Sequence, residues 1–215
     1  NTKMIFLANP NNPTGTFIPK KEIMRLHESM PSNILLVYDA AYSEYVINDD
    51  YSDGSELAGA NENVIMLRTF SKLHGLASLR LGWGYASEKI IENLMKVRGP
   101  FSVNTSAIVA GIAALEDLEF QNKSVKHNLK WMSWFEKELQ SLNLDFQYSI
   151  TNFLLIRFPC NNKHNAQNAE KFLASKGILV RGMKVYGLPN HLRVSIGNKI
   201  QNLRFLEELK IFLEN

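Results

Sequence analysis

Val64-Ile65-Met66-Leu67-Arg68-Thr69-Phe70-Ser71-Lys72-Leu73-His74-Gly75 is the stretch whose reading decides the fold. Its first six residues form a mostly apolar run of strand length, and Gly75 marks a tight loop directly behind it. Lys72 therefore stands just past the end of a strand. A lone lysine is most often a solvated surface residue. A lysine that condenses with an aldehyde must instead be partly deprotonated, which requires neighbouring positive charge or desolvation. Arg80 follows eight positions on, and taken alone it reads as a surface salt-bridge residue.

Outward from this stretch, short runs rich in Val, Ile and Leu alternate with helical patterns, the signature of a sheet covered by helices on both faces. Strands are expected at residues 4–8, 34–38, 64–69 and 81–86. Between the first two, Pro19 suits a first helical turn, and Ile23, Leu26 and Met30 recur at helical spacing. Ser87 is a plausible N-cap for a helix over 88–97, which Gly99-Pro100 ends. An Ala-rich helix over 102–115 follows, then a long amphipathic helix over 119–142 carrying Trp131, Trp134, Phe135 and Leu139. The domain boundary is expected near its start, giving domains 1–118 and 119–215. The second reads β-α-β-β-α: a strand at 153–158, a helix at 166–176, strands near 178–181 and 192–195, and a last helix to Leu213.

Three further stretches carry chemistry. Asp39, in Asp39-Ala40-Ala41-Tyr42, ends an apolar strand, and the C-terminal edge of such a strand is where α/β sheets bind ligands. The competing reading of Asp39 is a cap for the following turn, and of Tyr42 simple packing. In Asn9-Pro10-Asn11-Asn12-Pro13-Thr14-Gly15, Pro13 fixes φ and Gly15 permits a positive one, so the run is a turn by mechanism. Arg193 lies between Leu192 and Val194, and a charge alternating into an apolar strand needs a partner. Arg181 on the preceding strand is a second candidate for the same pocket, against a rim salt bridge, and Asn152 just before Phe153-Leu154-Leu155 is another.

Taken together, Asn9–Gly15, Asp39–Tyr42, Thr69–Lys72 with Arg80, and Leu192–Gly197 resemble the fold-type I aminotransferases, and within them the histidinol-phosphate aminotransferase group. The resemblance runs from the first residue to the last. It implies an α/β fold: part of a large domain with a mostly parallel sheet, then a small α/β domain. It implies pyridoxal 5'-phosphate as cofactor, with Lys72 on the aldehyde, Arg80 with Thr69 and Ser71 on the phosphate, and Asp39 on the ring nitrogen. Tyr42 and Asn12 would share the ring's 3-oxygen, and Arg193, with Arg181 and Asn152 beside it, would hold the anionic group of the substrate. Ala40 stands where many relatives have Glu, at a position that is not a cofactor contact.

The resemblance also implies amino transfer from histidinol phosphate to 2-oxoglutarate in histidine biosynthesis, by a cytoplasmic homodimer. An aromatic amino acid aminotransferase and a decarboxylase of phosphothreonine type share these motifs, and an inactive fragment is the alternative outside enzymes. The chain opens without Met and almost at once enters a strand-like run, so an N-terminal portion is expected to be missing, with the phosphate-cradling loop and ring-stacking aromatic it would carry.

Bulk properties narrow the rest. The chain has 215 residues and a net charge of +3 spread without a basic run, which argues against a nucleic-acid partner. No apolar run approaches the roughly 20 residues that span a bilayer. The single Cys160 can form no internal disulfide and fits a reducing cytoplasm. His27, His74 and His127 offer no metal-ligand spacing; His74, inside the lysine loop, is expected to pack there.

Overall fold

A computed structural model describes residues 1–214. By internal contacts the chain divides into two compact units, Asn1–Asn11 with Phe17–Val125, and Asn12–Thr16 with Lys126–Asn215.

The first unit is organised by a four-stranded sheet in the order β1 (Met4–Ala8), β2 (Leu35–Asp39), β3 (Val64–Thr69), β4 (Gly82–Ala86). The first three strands are parallel and β4 runs antiparallel to β3. Helices α1 (Lys20–Ser29) and α2 (Ser55–Ala60) make the crossovers between the parallel strands. One face of the sheet buries Leu36 and Tyr38 of β2 and Val64 and Met66 of β3 against Ile23 of α1 and Ala58 of α2. Successive side chains of a strand point to opposite faces, so these alternate residues share one. Helices α3 (Glu88–Val97), α4 (Thr105–Glu116) and α5 (Leu118–Ser141) follow β4.

Register fixes where the chemistry lies. Ala8 pairs with Asp39, Asp39 with Leu67, and Thr69 with Gly82. The C-terminal ends of three parallel strands and the start of β4 thus share one edge, where open α/β sheets bind ligands. Backbone hydrogen bonds continue the ladder past this edge: Asn9 N–H to Asp39 O at 2.9 Å, Ala40 N–H to Leu67 O at 2.9 Å, and Phe70 N–H to Leu81 O at 3.1 Å.

The second unit is built on an antiparallel sheet in the order β5 (Asp145–Gln147), β6 (Phe153–Arg157), β8 (His191–Ser195), β7 (Arg181–Gly182). Leu154, Ile156, Leu192 and Val194 face the core, packed against Phe135 and Leu139 of α5, Leu173 of α6 (Ala166–Ser175), and Leu209 and Phe212 of α7 (Lys199–Glu214). Each such side chain contributes about 1.5–3 kcal/mol on burial. The opposite face carries Phe153, Leu155 and Arg193.

The α/β class and the mainly parallel first sheet agree with the sequence reading. Several boundaries differ for local reasons. The Ala-rich helix starts at Thr105 instead of residue 102, because the Asn104 side chain caps the Ala107 N–H at 2.7 Å. Ser87 precedes α3 without a side-chain cap; its hydroxyl turns to Glu62 O at 3.4 Å. The strand expected near 178–181 shrinks to the two-residue edge strand β7, with Leu179 87% exposed beside it. β5 and α2 are too short to leave a periodic signal.

Candidate active site

The lysine loop is held from beneath. Phe70 and Leu73 are buried anchors. Between them the loop closes through Gly75 N–H to Lys72 O at 3.0 Å and Leu76 N–H to Phe70 O at 2.9 Å, with Gly75 at φ +69°. Only a residue without Cβ takes that turn readily. Lys72, half-buried, extends its Nζ over the ring of the buried Tyr42, 5.0 Å from the centroid. An ammonium over an aromatic face is attracted by the ring quadrupole. Tyr42 reaches this position from a tight turn after β2, in which Ser43 N–H bonds Ala40 O and Tyr45 N–H bonds Tyr42 O, each at 3.1 Å.

Asp39 ends β2 exposed at the same sheet edge. Its Oδ1 accepts the Ala41 backbone N–H at 3.0 Å, and among the described residues no side chain engages it. One oxygen thus shapes the turn, and the other is left to accept from a ligand. Thr69 Oγ1 accepts the Ser71 N–H at 3.1 Å and lies 3.5 Å from Leu81 O, so this hydroxyl is spent largely on its own loop. Arg80 is exposed and its backbone is left-handed, φ +55°. That conformation costs a non-glycine residue about 1–2 kcal/mol, and such strain gathers where function demands it. Its Nη1 donates to Ala77 O at 2.6 Å and lies 3.4 Å from Ser71 Oγ. The remaining guanidinium donors and the Ser71 hydroxyl form a compact set suited to an oxyanion.

In the second unit, Asn12, Arg181 and Arg193 come together. Arg193 Nη1 donates a short hydrogen bond to Asn12 Oδ1, and its guanidinium lies 5.0 Å from the Phe153 ring centroid. The Asn12 amide nitrogen remains a donor. Arg193 Nε is buried without a partner, a condition that costs about 1–3 kcal/mol until something accepts from it. Arg181 stands directly opposite Arg193 in the β7–β8 pair. Like charges so placed repel, and among the described residues neither forms an ion pair with a carboxylate. Both line a cavity of about 650 Å³ with Ser195, Gln201, Asn202 and Arg204. Asn152 uses its backbone here, its carbonyl accepting the Ile196 N–H at 2.9 Å.

Two arrangements escaped the sequence reading. One is the Asn12–Arg193 bond, which joins residues 181 positions apart and has no local signal. The other is an ion triad around Arg68, which bonds Glu44 Oε1 at 3.0 Å and Asp53 Oδ2 at 2.8 Å. Its signal was present: a charge inside an apolar strand needs a partner. Three of the histidines bond or pack within their own unit. His74 stacks on Phe70 at 5.0 Å, His27 bonds Asn63, and His127 bonds Gly197 O. No group of His, Cys, Asp and Glu among the described residues could hold a metal ion, and no helix there is long and apolar enough to cross a membrane.

Comparison with known proteins supplies the context for these two sets. Residues 1–209 match the family described as aminotransferase class I and II. The histidinol-phosphate aminotransferase of Maricaulis maris is 47% identical over 213 residues, which are 99% of this chain and 59% of that protein. That of Nitrobacter hamburgensis is 44% identical over 99% of this chain and 58% of its own length. Among solved structures, histidinol-phosphate aminotransferase from Sinorhizobium meliloti in complex with pyridoxal-5'-phosphate matches with a TM-score of 0.89 at 26% identity, over 99% of this chain and 57% of that one. The chain therefore spans under two thirds of the length of each of these relatives.

Proposed function

The chain belongs to the aminotransferase class I and II family, and we propose from this that the full-length protein transfers the amino group of histidinol phosphate to 2-oxoglutarate. The relatives named as histidinol-phosphate aminotransferases at 44–47% identity support the choice of amino donor. The observation that carries the reading is the Lys72 ammonium 5.0 Å over the Tyr42 ring, at the sheet edge that also presents Asp39. On this reading residues 1–118 belong to the large cofactor-binding domain and 119–215 form the small domain. The working form is a cytoplasmic homodimer, as the family resemblance implies.

The residues of the first unit fit pyridoxal phosphate by their chemistry: an amine, a carboxylate with an oxygen to spare, a phenol, and a guanidinium beside a hydroxyl. When bound, the cofactor supplies an aldehyde for the substrate amine and a pyridine ring that draws electrons from the substrate Cα. Lys72 would hold the aldehyde and then move the proton between the substrate Cα and the adjacent carbon, as general base and general acid. Asp39 would keep a proton on the ring nitrogen. Tyr42 and the Asn12 amide would donate to the 3-oxygen, and Arg80, Ser71 and Thr69 would bind the phosphate. Arg193 would take the phosphate of one substrate and a carboxylate of the other, with Arg181 beside it and Asn152 at the margin.

The test is an assay of the full-length protein with histidinol phosphate and 2-oxoglutarate. Glutamate should form in step with consumption of the donor, with no CO₂ release. CO₂ release in place of glutamate would assign a decarboxylase, and faster turnover of aromatic amino acids would assign the aromatic aminotransferase.

A further inference from the structure

We infer that Arg68, clamped between Glu44 and Asp53, is a positioning residue that sets Tyr42 against Lys72. The inference rests on the reading of Lys72 and Tyr42 given above and extends it to three residues that reading does not use. Arg68 lies on β3, four positions before Lys72, so its backbone is continuous with the lysine loop. Its Nε and Nη2 donate to Glu44 Oε1 at 3.2 and 3.0 Å, and its Nη1 donates to Asp53 Oδ2 at 2.8 Å. Glu44 sits in the middle of the one-turn 3-10 helix Ser43–Tyr45, immediately after Tyr42. That turn is nearly inaccessible, with Ala40, Ser43 and Tyr45 buried, so it moves as a block with the residue that anchors it. A third tie runs to β4: the Arg68 guanidinium lies 5.7 Å from the Trp83 ring centroid, and Trp83 is its cross-strand neighbour.

One side chain therefore joins the segment bearing Tyr42, the strand leading to Lys72, and the strand that follows Arg80. Arginine can do this because its planar fork satisfies two carboxylates in fixed directions, which a lysine point charge does not. The arginine and Glu44 side chains are only 16% and 14% exposed, so the geometry is little weakened by solvent. Asp53 is itself held by the Ser55 N–H at 3.0 Å and the Ser55 hydroxyl at 2.6 Å, which makes the far end of the clamp rigid.

The experiment uses the full-length protein loaded with pyridoxal phosphate and reads the pH midpoint of its visible absorption band. Tyr42→Phe should raise the midpoint, because a donor to the 3-oxygen is lost. Glu44→Gln and Arg68→Lys should shift it in the same direction and weaken cofactor binding by roughly twofold or more, the lower end of couplings within one network. The decisive variant is Tyr42→Phe combined with Arg68→Lys, whose midpoint should equal that of Tyr42→Phe alone. Shifts that add would overturn the inference, as would an unmoved midpoint with a lowered Tm. If Arg68→Lys does not fold, Glu44→Gln with Tyr42→Phe gives the same comparison; loss of fold in both assigns the triad to stability and also overturns the inference. A wild-type protein with no visible band would instead sink the reading of Lys72 on which the inference rests.

Discussion

The sheet edge of the first unit and the arginine face of the second treat charge in opposite ways. At the edge, each of these polar groups is anchored by a local partner, and Asp39 and Arg80 keep atoms to spare: Asp39 with Ala41, Thr69 with Ser71, Arg80 with Ala77. On the arginine face, Arg193 keeps a buried nitrogen without a partner and stands opposite Arg181, with no carboxylate paired to either among the described residues. A group that stays bound through many turnovers is best served by a site organised in advance. A ligand that enters and leaves is better served by a site whose cost is relieved only when an anion arrives. The contrast matches the proposed division of labour, cofactor in the first unit and substrate anion in the second.

Lys72→Ala breaks the comparison at its strongest point. Transamination should fall by roughly 10²–10⁴, the range supplied by a positioned acid–base group, as measured by glutamate formation in the full-length protein. Asp39→Ala should keep some cofactor binding and lose about 3–4 kcal/mol of transition-state stabilisation, the scale of a placed electrostatic partner. A near-normal kcat in that variant would reduce Asp39 to the turn cap that its bond to Ala41 also describes.

Arg193→Lys sharpens the contrast from the other side. It keeps the charge but loses the fork and the bond to Asn12, so KM for both substrates should rise about tenfold, near the 1.5–3 kcal/mol of a charge-assisted hydrogen bond. Cofactor affinity should change far less, through the lost hold on Asn12 alone. If cofactor binding weakened and KM held, the assignment of the two units would be reversed.

The smallest effect concerns acid. Burial raises the Asp53 carboxyl, but the Ser55 hydroxyl and amide together with Arg68 outweigh it, and the net position is below the usual carboxylate range. A lowered carboxyl stabilises the fold above its unfolded value and loses that contribution as pH falls through the lowered one. Asp53→Asn should therefore flatten the acid limb of a Tm–pH profile. Arg181 and Arg193 have no paired carboxylate to titrate, so neutral replacements there should leave that limb alone.

Much of this was legible in the chain. Strands over 4–8 and 64–69 follow from apolar runs of the right length, and Asp39 and Lys72 fall at strand ends that the parallel register then brings to one edge. The Asn12–Arg193 bond was not legible, because nothing local marks a contact across 181 positions. β5 is three residues long and β7 two, too short for periodicity to show. Arg68 was readable by the rule that singled out Arg193: both are charges set into apolar strands, and both found partners far along the chain.

The central claim is that Lys72 holds the cofactor aldehyde. Borohydride reduction of the full-length protein loaded with pyridoxal phosphate, followed by digestion and peptide mass mapping, tests it directly. The account predicts one reduced pyridoxyl group, on the peptide containing Ser71-Lys72, and none in Lys72→Ala. A pyridoxyl group on any other lysine would contradict it.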